Sequence, residues 1–334
     1  MRARIMFIVL AMVLLAGVTY ASDYQAIKIE KVKYFNQPNC YKLSNSSTEV
    51  IVTTDIGPRI IAYRFIGGEN ILGELTPASV VKTEFGDWHP WGGHRLWHAP
   101  ELKPRTYLPD DKPVKFEIVG TDAIRLTEGV EPGSNIEKEM LVQLESTGSH
   151  VTITHKLTNK GMWPVDLAPW GLTIMNGGGT TIIPNEPFIS HDEKLLPARP
   201  MIIWNYTDMS DSRWAFGKKC ITLHTDPTKK YPNKLGFGDK QGWAAYHRKD
   251  ILFVKKFPYQ EGATYPDLGC NFETYTDGDF MEIESLGQMV KLDPGKSTTH
   301  VEDWLLFSNV NADNSMASIE KYILPLVEGK PGLK

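Results

Sequence analysis

From residue 26 onward, apolar and polar residues alternate over short runs with a period of two, the spacing of strands buried on one face. The runs 26–32, 41–44, 49–53 and 59–65 open the series. Gly, Pro, Asn and Asp punctuate it, as in Asp55-Ile56-Gly57-Pro58, Gly67-Gly68-Glu69-Asn70 and Pro109-Asp110-Asp111. These residue types supply the backbone conformations that turns need. Further strands are predicted over 114–119, 123–128, 136–144, 151–158, 163–174, 201–204, 220–225, 242–247, 251–257, 270–275, 280–286 and 298–307. The pair 136–144 and 151–158 reads as antiparallel neighbours joined across 145–149. One segment, 316–327, carries apolar residues at helical spacing (Met316, Ile319, Ile323, Leu324, Val327), with Pro325 set to truncate it. There is no internal repeat and no low-complexity linker. So many short strands predict an all-β protein, one large antiparallel sandwich over 22–334 ending in a short helix.

The N-terminus changes that picture only at its edge. A basic start, Met1-Arg2-Ala3-Arg4, precedes an apolar run over 5–18 and then Thr19-Tyr20-Ala21. This is the pattern of a cleavable secretory leader over 1–21, and it predicts a periplasmic or secreted protein. The run is too short for a comfortable membrane span, and no later segment is long and apolar enough to cross one. The net charge is −4, with no basic stripe, which excludes nucleic acid as an expected partner. The chain has 3 cysteines, Cys40, Cys220 and Cys270, so at most one internal bridge can form.

The chemistry concentrates in the stretch 87–101, Asp87-Trp88-His89-Pro90-Trp91-Gly92-Gly93-His94-Arg95-Leu96-Trp97-His98-Ala99-Pro100-Glu101. Indoles favour burial, whereas the ionisable groups resist it. Ring faces beside hydrogen-bonding side chains suit a sugar, whose C–H face stacks on aromatics while its hydroxyls take polar partners. A rigid loop anchored by its tryptophans is the plain structural alternative. His94 and His98 are four residues apart with Glu101 following, a metal-like spacing on a helix. The Gly92-Gly93 pair and Pro100 oppose a helix, and no zinc-hydrolase pattern accompanies them, so no metal is assigned here.

Several short segments together resemble the galactose mutarotase-like (aldose 1-epimerase-like) superfamily. Gly57-Pro58-Arg59-Ile60-Ile61-Ala62-Tyr63-Arg64-Phe65 followed by Gly68-Glu69-Asn70-Ile71-Leu72-Gly73 is similar to its opening strand and turn. Gly92-Gly93-His94-Arg95 resembles its site loop, Leu157-Thr158-Asn159-Lys160-Gly161 a strand end, and Leu292-Asp293-Pro294-Gly295-Lys296 the turn before the last strand. The resemblance implies a large twisted antiparallel β-supersandwich with a sugar groove on its concave sheet and a carbohydrate ligand. It also implies an aldose epimerase-like isomerase, in which a carboxylate and an acid each move a proton.

By position, the resemblance assigns the base to Glu282, with Glu284 as rival; on a strand the two share one face. Asn271 and Glu273 repeat that geometry one strand earlier. If the two strands pair, the resulting acidic patch can bind sugar hydroxyls or a hard cation such as calcium. The chain departs from the resemblance at Trp170, which stands about where the acid histidine is expected. That shifts the acid role to His94 or His98. Arg95 is the expected partner of sugar hydroxyls or a uronate carboxylate. Trp91, Trp97, Glu101, Trp170, Asn271, Glu273 and Glu284 complete the expected binding set. Two other classes stay open: a sugar-binding module without catalysis, and a polysaccharide lyase or hydrolase using Tyr107 or Tyr63 as proton donor.

Overall fold

The computed structural model describes residues 26–76 and 80–329; the expected leader over 1–21 lies outside the described residues. Two antiparallel sheets, of 11 and 10 strands, stack face to face. From the middle of the larger sheet to one edge lie, in spatial order, Arg59–Phe65, His94–Ala99, Val165–Asn176, Phe280–Leu286, Phe272–Thr276, Asn233–Phe237 and Met201–Ile203. The smaller sheet has Ile251–Lys256, Ser297–Phe307, Val151–Asn159 and Ile136–Leu144 side by side at its middle. The fold is the all-β sandwich that the alternation predicts.

The expected hairpin forms residue for residue, from Ile136 opposite Asn159 to Leu144 opposite Val151. Met140, Val142, Ile153 and Leu157 point inward and are fully buried. They join Val50, Tyr63, Phe253, Phe272 and Trp304 in one core between the sheets. The C-terminal helical segment runs as Met316–Ser318, Ile319–Ile323 and Leu324–Val327. Pro325 has no N–H to donate and does not end it. Just before Pro325 the helix widens to a π turn, in which Leu324 N–H bonds to the Ile319 carbonyl. Its apolar side (Ile319, Ile323, Leu324, Val327) covers Ile182, Trp243, Ala245 and Val254 on the outer face of the smaller sheet. Beneath the helix that face is apolar and occupied; beyond it the same sheet carries the partly exposed Lys156–Glu139 and His150–Asp303 pairs. The outer face of the larger sheet carries charged and aromatic side chains. The three cysteines are buried and unbridged.

The stretch 87–101 is only partly a loop. After the short strand Gly86–Trp88, the chain turns through Trp91, Gly92 and Gly93, all with positive φ (54°, 78° and 66°), and enters the strand His94–Ala99. A Cβ on Gly92 would lie 2.2 Å from the Gly73 carbonyl oxygen, and one on Gly93 2.2 Å from that of Ile60. Only glycine lets the turn press this closely on its neighbours. All six residues of His94–Ala99 are buried. Successive side chains therefore go to opposite sides of the sheet.

Candidate functional site

That alternation builds two different environments from one strand. Arg95 and Trp97 point to the outer face of the larger sheet. The next strands add Trp170 and Leu172, then Glu282 and Glu284, then Glu273 and Tyr275, then Lys234. Direct cross-strand pairing sets these rows: Trp97 opposite Trp170, Arg95 opposite Leu172, Leu172 opposite Glu284, Glu284 opposite Glu273, and Glu282 opposite Tyr275. Together with Trp88, Glu101, Tyr107, Trp204 and Tyr206, all of these but Glu273 wall a cleft of about 610 Å³. A smaller recess of about 320 Å³, lined by Glu101, Lys103, Tyr107, Trp170, Trp204, Asp267 and Glu273, adjoins it and shares four of its residues.

The tryptophans form a connected aromatic wall. Ring centroids are 5.4 Å apart for Trp88–Trp97, 5.4 Å for Trp97–Trp170 and 5.0 Å for Trp97–Tyr107. Each cleft cation sits against two indoles. The Arg95 guanidinium carbon lies 4.5 Å from the Trp97 centroid and 5.4 Å from that of Trp88. The Lys234 ammonium lies 5.1 Å from Trp170 and 4.8 Å from Trp204. Gly236 makes room for the latter indole, since a Cβ there would lie 3.0 Å from the Trp204 ring. Such contacts hold a charge in place at a partly desolvated site.

Both cations are also paired with carboxylates. Arg95 Nη2 donates to Glu282 Oε1 at 3.1 Å, while its Nε and Nη1 find no acceptor among the described residues. Lys234 Nζ lies 2.6 Å from Glu273 Oε2 and 3.1 Å from Glu284 Oε2. Glu284 Oε2 also accepts from the Trp170 indole at 3.0 Å, and Glu284 Oε1 has no partner. The ammonium of Lys234 thus occupies the place between the two carboxylates that a calcium ion would need. Burial pushes the Glu282 carboxyl up to about 7, with Glu284 adding to the shift and Arg95 opposing it. Burial raises Glu273 well above the usual carboxylate range, against the pull of Lys234. The Tyr107, Tyr206 and Tyr275 hydroxyls are pushed up by burial and are poor acids near neutrality.

The other face of the same strands tells a different story. His94, expected to work in the groove, points between the sheets and is fully buried. His155 Nδ1 faces the His300 carbonyl at 3.1 Å and so carries its proton; its Nε2 accepts from His94 Nε2 at 2.7 Å. His94 Nδ1 then accepts from the Thr173 hydroxyl at 2.8 Å. Burial holds both rings below the usual histidine range, in agreement with two neutral imidazoles. Beside them Glu302 accepts from Ser285 (2.6 Å), Lys255 (3.0 Å) and Trp304 Nε1 (2.7 Å). His300 is buried as well, at 2.7 Å from the Ser285 hydroxyl. Gly171 is required above this group, since a Cβ there would lie 2.3 Å from Glu302 Oε1. His94, His155 and Glu302 are within 4.8 Å of one another, yet the ligand atoms of all three are engaged by protein partners.

Other expected site residues also part company with the cleft. His98 points inward and lies 3.4 Å from Glu131, which Lys138 neutralises in turn. Trp91 lines a separate cavity of about 240 Å³ with Phe35, Gln37 and Ile61. Asn271 ties down the Asp239 backbone, accepting from its N–H at 2.6 Å and donating to its carbonyl at 2.9 Å. Tyr63 lies in the inter-sheet core, bonded to the Ser149 carbonyl. Arg95, Trp97, Glu101, Trp170, Glu282 and Glu284 meet in the cleft, and Glu273 in its adjoining recess. Tyr107, named as a lyase donor, lines both and donates to Glu101. Lys234 and Tyr275 were not singled out from the sequence. The signal available was a lysine beside Leu235 and Phe237; the strand Asn233–Phe237 buries all five of its residues.

No protein-family model matches the chain, and neither does any curated protein. Among solved structures it is similar to a Synechocystis sp. PCC 6803 protein (13% identity, TM-score 0.54, covering 84% of this chain and 99% of that one). It is also similar to a galactose mutarotase-like protein from Lactobacillus casei (12%, TM-score 0.54, 80% and 100%). A third is a galactose mutarotase-like protein from Clostridium acetobutylicum (11%, TM-score 0.52, 85% and 99%). The fold is therefore galactose mutarotase-like. At these identities the likeness extends to the fold alone.

Proposed function

We propose that this galactose mutarotase-like sandwich binds a sugar in the cleft on its larger sheet, as an exported protein, and that Glu282 abstracts the anomeric proton in an aldose 1-epimerase-like reaction. The observation that carries the reading is Glu282 itself. It is a carboxyl raised to about 7, held by Arg95 at the wall of an aromatic cleft. A general base works best when it titrates near the working pH. The indoles offer stacking surfaces, and the free Nε and Nη1 of Arg95 and Oε1 of Glu284 offer hydrogen bonds to ring hydroxyls. A sugar would satisfy buried polar atoms that the protein leaves unpaired.

A second reading, a sugar-binding module without catalysis, is favoured by one feature. Among the described residues lining the cleft there is no histidine, so no side chain there pairs with Glu282 as a near-neutral acid. Magnetisation-exchange NMR on glucose and galactose separates the two. Accelerated anomer exchange that is lost in Glu282→Gln supports the epimerase. Ligand shifts without acceleration support the binder. Neither shifts nor acceleration with any aldose overturns both.

A further inference from the structure

The charges of the cleft walls point beyond sugars in general. The two cations among its described lining residues are Arg95 and Lys234, and each is already matched. Arg95 holds Glu282, and Lys234 holds both Glu273 and Glu284. A carboxylate or phosphate on the ligand would therefore meet no free cation in the main cleft and would have to break one of these pairs. The carboxylates, in contrast, are in excess. Glu101, which accepts from the Tyr107 hydroxyl, and Asp277 line the cleft, and among the described residues no cation pairs with either. On the floor, Glu284 is fully buried and its Oε1 has no hydrogen-bond partner among the described residues. An unpaired buried carboxylate oxygen is costly unless something donates to it.

We propose that the cleft is selective for an amino sugar, a pyranose bearing a protonated amine, over its neutral counterpart, and that it rejects uronates and sugar phosphates. The ammonium supplies the donor that Glu284 Oε1 lacks and offsets the excess negative charge of Glu101 and Asp277. The ring stacks on the Trp97–Trp170 wall. This inference rests on the sugar-binding reading above and names its substrate class. It also removes one expected role of Arg95, because a guanidinium committed to Glu282 is a poor receiver for a uronate carboxylate.

Calorimetric titration of the full protein at low ionic strength tests it, with glucosamine, glucose and glucuronate, and in parallel galactosamine, galactose and galacturonate. The expected result, in at least one series, is that the amino sugar binds about tenfold tighter than the neutral sugar and that the uronate binds weakest. Salt should narrow the gap, as it screens exposed charges. Glu284→Gln should narrow it as well, and the ligand panel on the unmodified protein stands if that variant fails to fold. Equal affinities across the three charges, or tighter binding of the uronates, overturn the inference while leaving the sugar-binding reading intact. No binding by any of the six overturns both.

Discussion

The strand His94–Ala99 has two sides, and they show what a buried charge can be for. On the inner side, His94, His155, Glu302, Lys255 and Ser285 form a closed set between the sheets. Both Glu302 oxygens and both nitrogens of His94 and His155 are engaged by protein partners. On the outer side, Arg95, Glu282, Lys234, Glu273 and Glu284 are about as rich in charge but are left open. Arg95 keeps two nitrogens without an acceptor, and Glu284 one oxygen without a donor. A satisfied network rigidifies a core; a partly satisfied one lining a cleft is prepared for something that is not part of the chain. The inner histidines look more like chemistry in the sequence, but the outer carboxylates have the geometry for it.

The largest expected effect breaks the inner side. Glu302→Ala leaves the Lys255 ammonium buried with only carbonyl partners, and should destabilise the fold by about 3–5 kcal/mol. Urea denaturation measures this. The outer counterpart, Glu282→Gln, keeps a hydrogen-bond acceptor for Arg95 and, measured near pH 5 where the native carboxyl still holds its proton, should alter stability by no more than about 1 kcal/mol. If both substitutions cost the same, the contrast between the two sides is wrong.

Next in size, Glu282→Gln should slow enzyme-accelerated anomer exchange by roughly a hundredfold or more, the scale of a lost general base, with sugar affinity largely kept. His94→Gln should leave the exchange rate of the folded protein within about threefold. A rate loss from His94→Gln as large as that from Glu282→Gln would return the histidine to the mechanism. A smaller effect belongs to Arg95→Lys. It gives up the planar ion stacked on Trp97 and Trp88 and should weaken sugar binding about tenfold by calorimetry.

The pH dependence separates the two sides by sign. Burial raises Glu282 from 4.5 to about 7, so between those values the unfolded chain releases the proton first and stability falls as pH rises. Burial lowers His300 from 6.5 to about 3, so in that window the unfolded chain takes up a proton that the native state refuses, and stability falls as pH drops. Urea midpoints followed from pH 3 to 8 should show Glu282→Gln flattening the first slope and His300→Gln the second. Exchange activity should rise with pH through about 7 as Glu282 loses its proton. An activity profile that is flat there would take Glu282 out of the base role.

Alternation along the chain was enough to determine the sandwich. Runs such as 136–144 and 151–158 can bury one face only as paired strands, and Gly92-Gly93 marks a turn that other residues could not make. It also determined that Glu282 and Glu284 share a face. What it could not determine was which face of 94–99 meets the ligand. Composition pools His94, Arg95, Trp97 and His98 into one cluster; the pleat divides them, sending the arginine and the indole to the cleft and the histidines between the sheets. Nor could local pattern reveal Lys234, because its importance comes from Glu273, Glu284, Trp170 and Trp204, which reach it from three other parts of the chain. Periodicity is a property of neighbours in sequence, whereas a site depends on which strands pair and on which side of the sheet the solvent lies. That is settled only when the second sheet and the C-terminal helix have covered the apolar surfaces and left the aromatic and charged side chains of the larger sheet around a cleft.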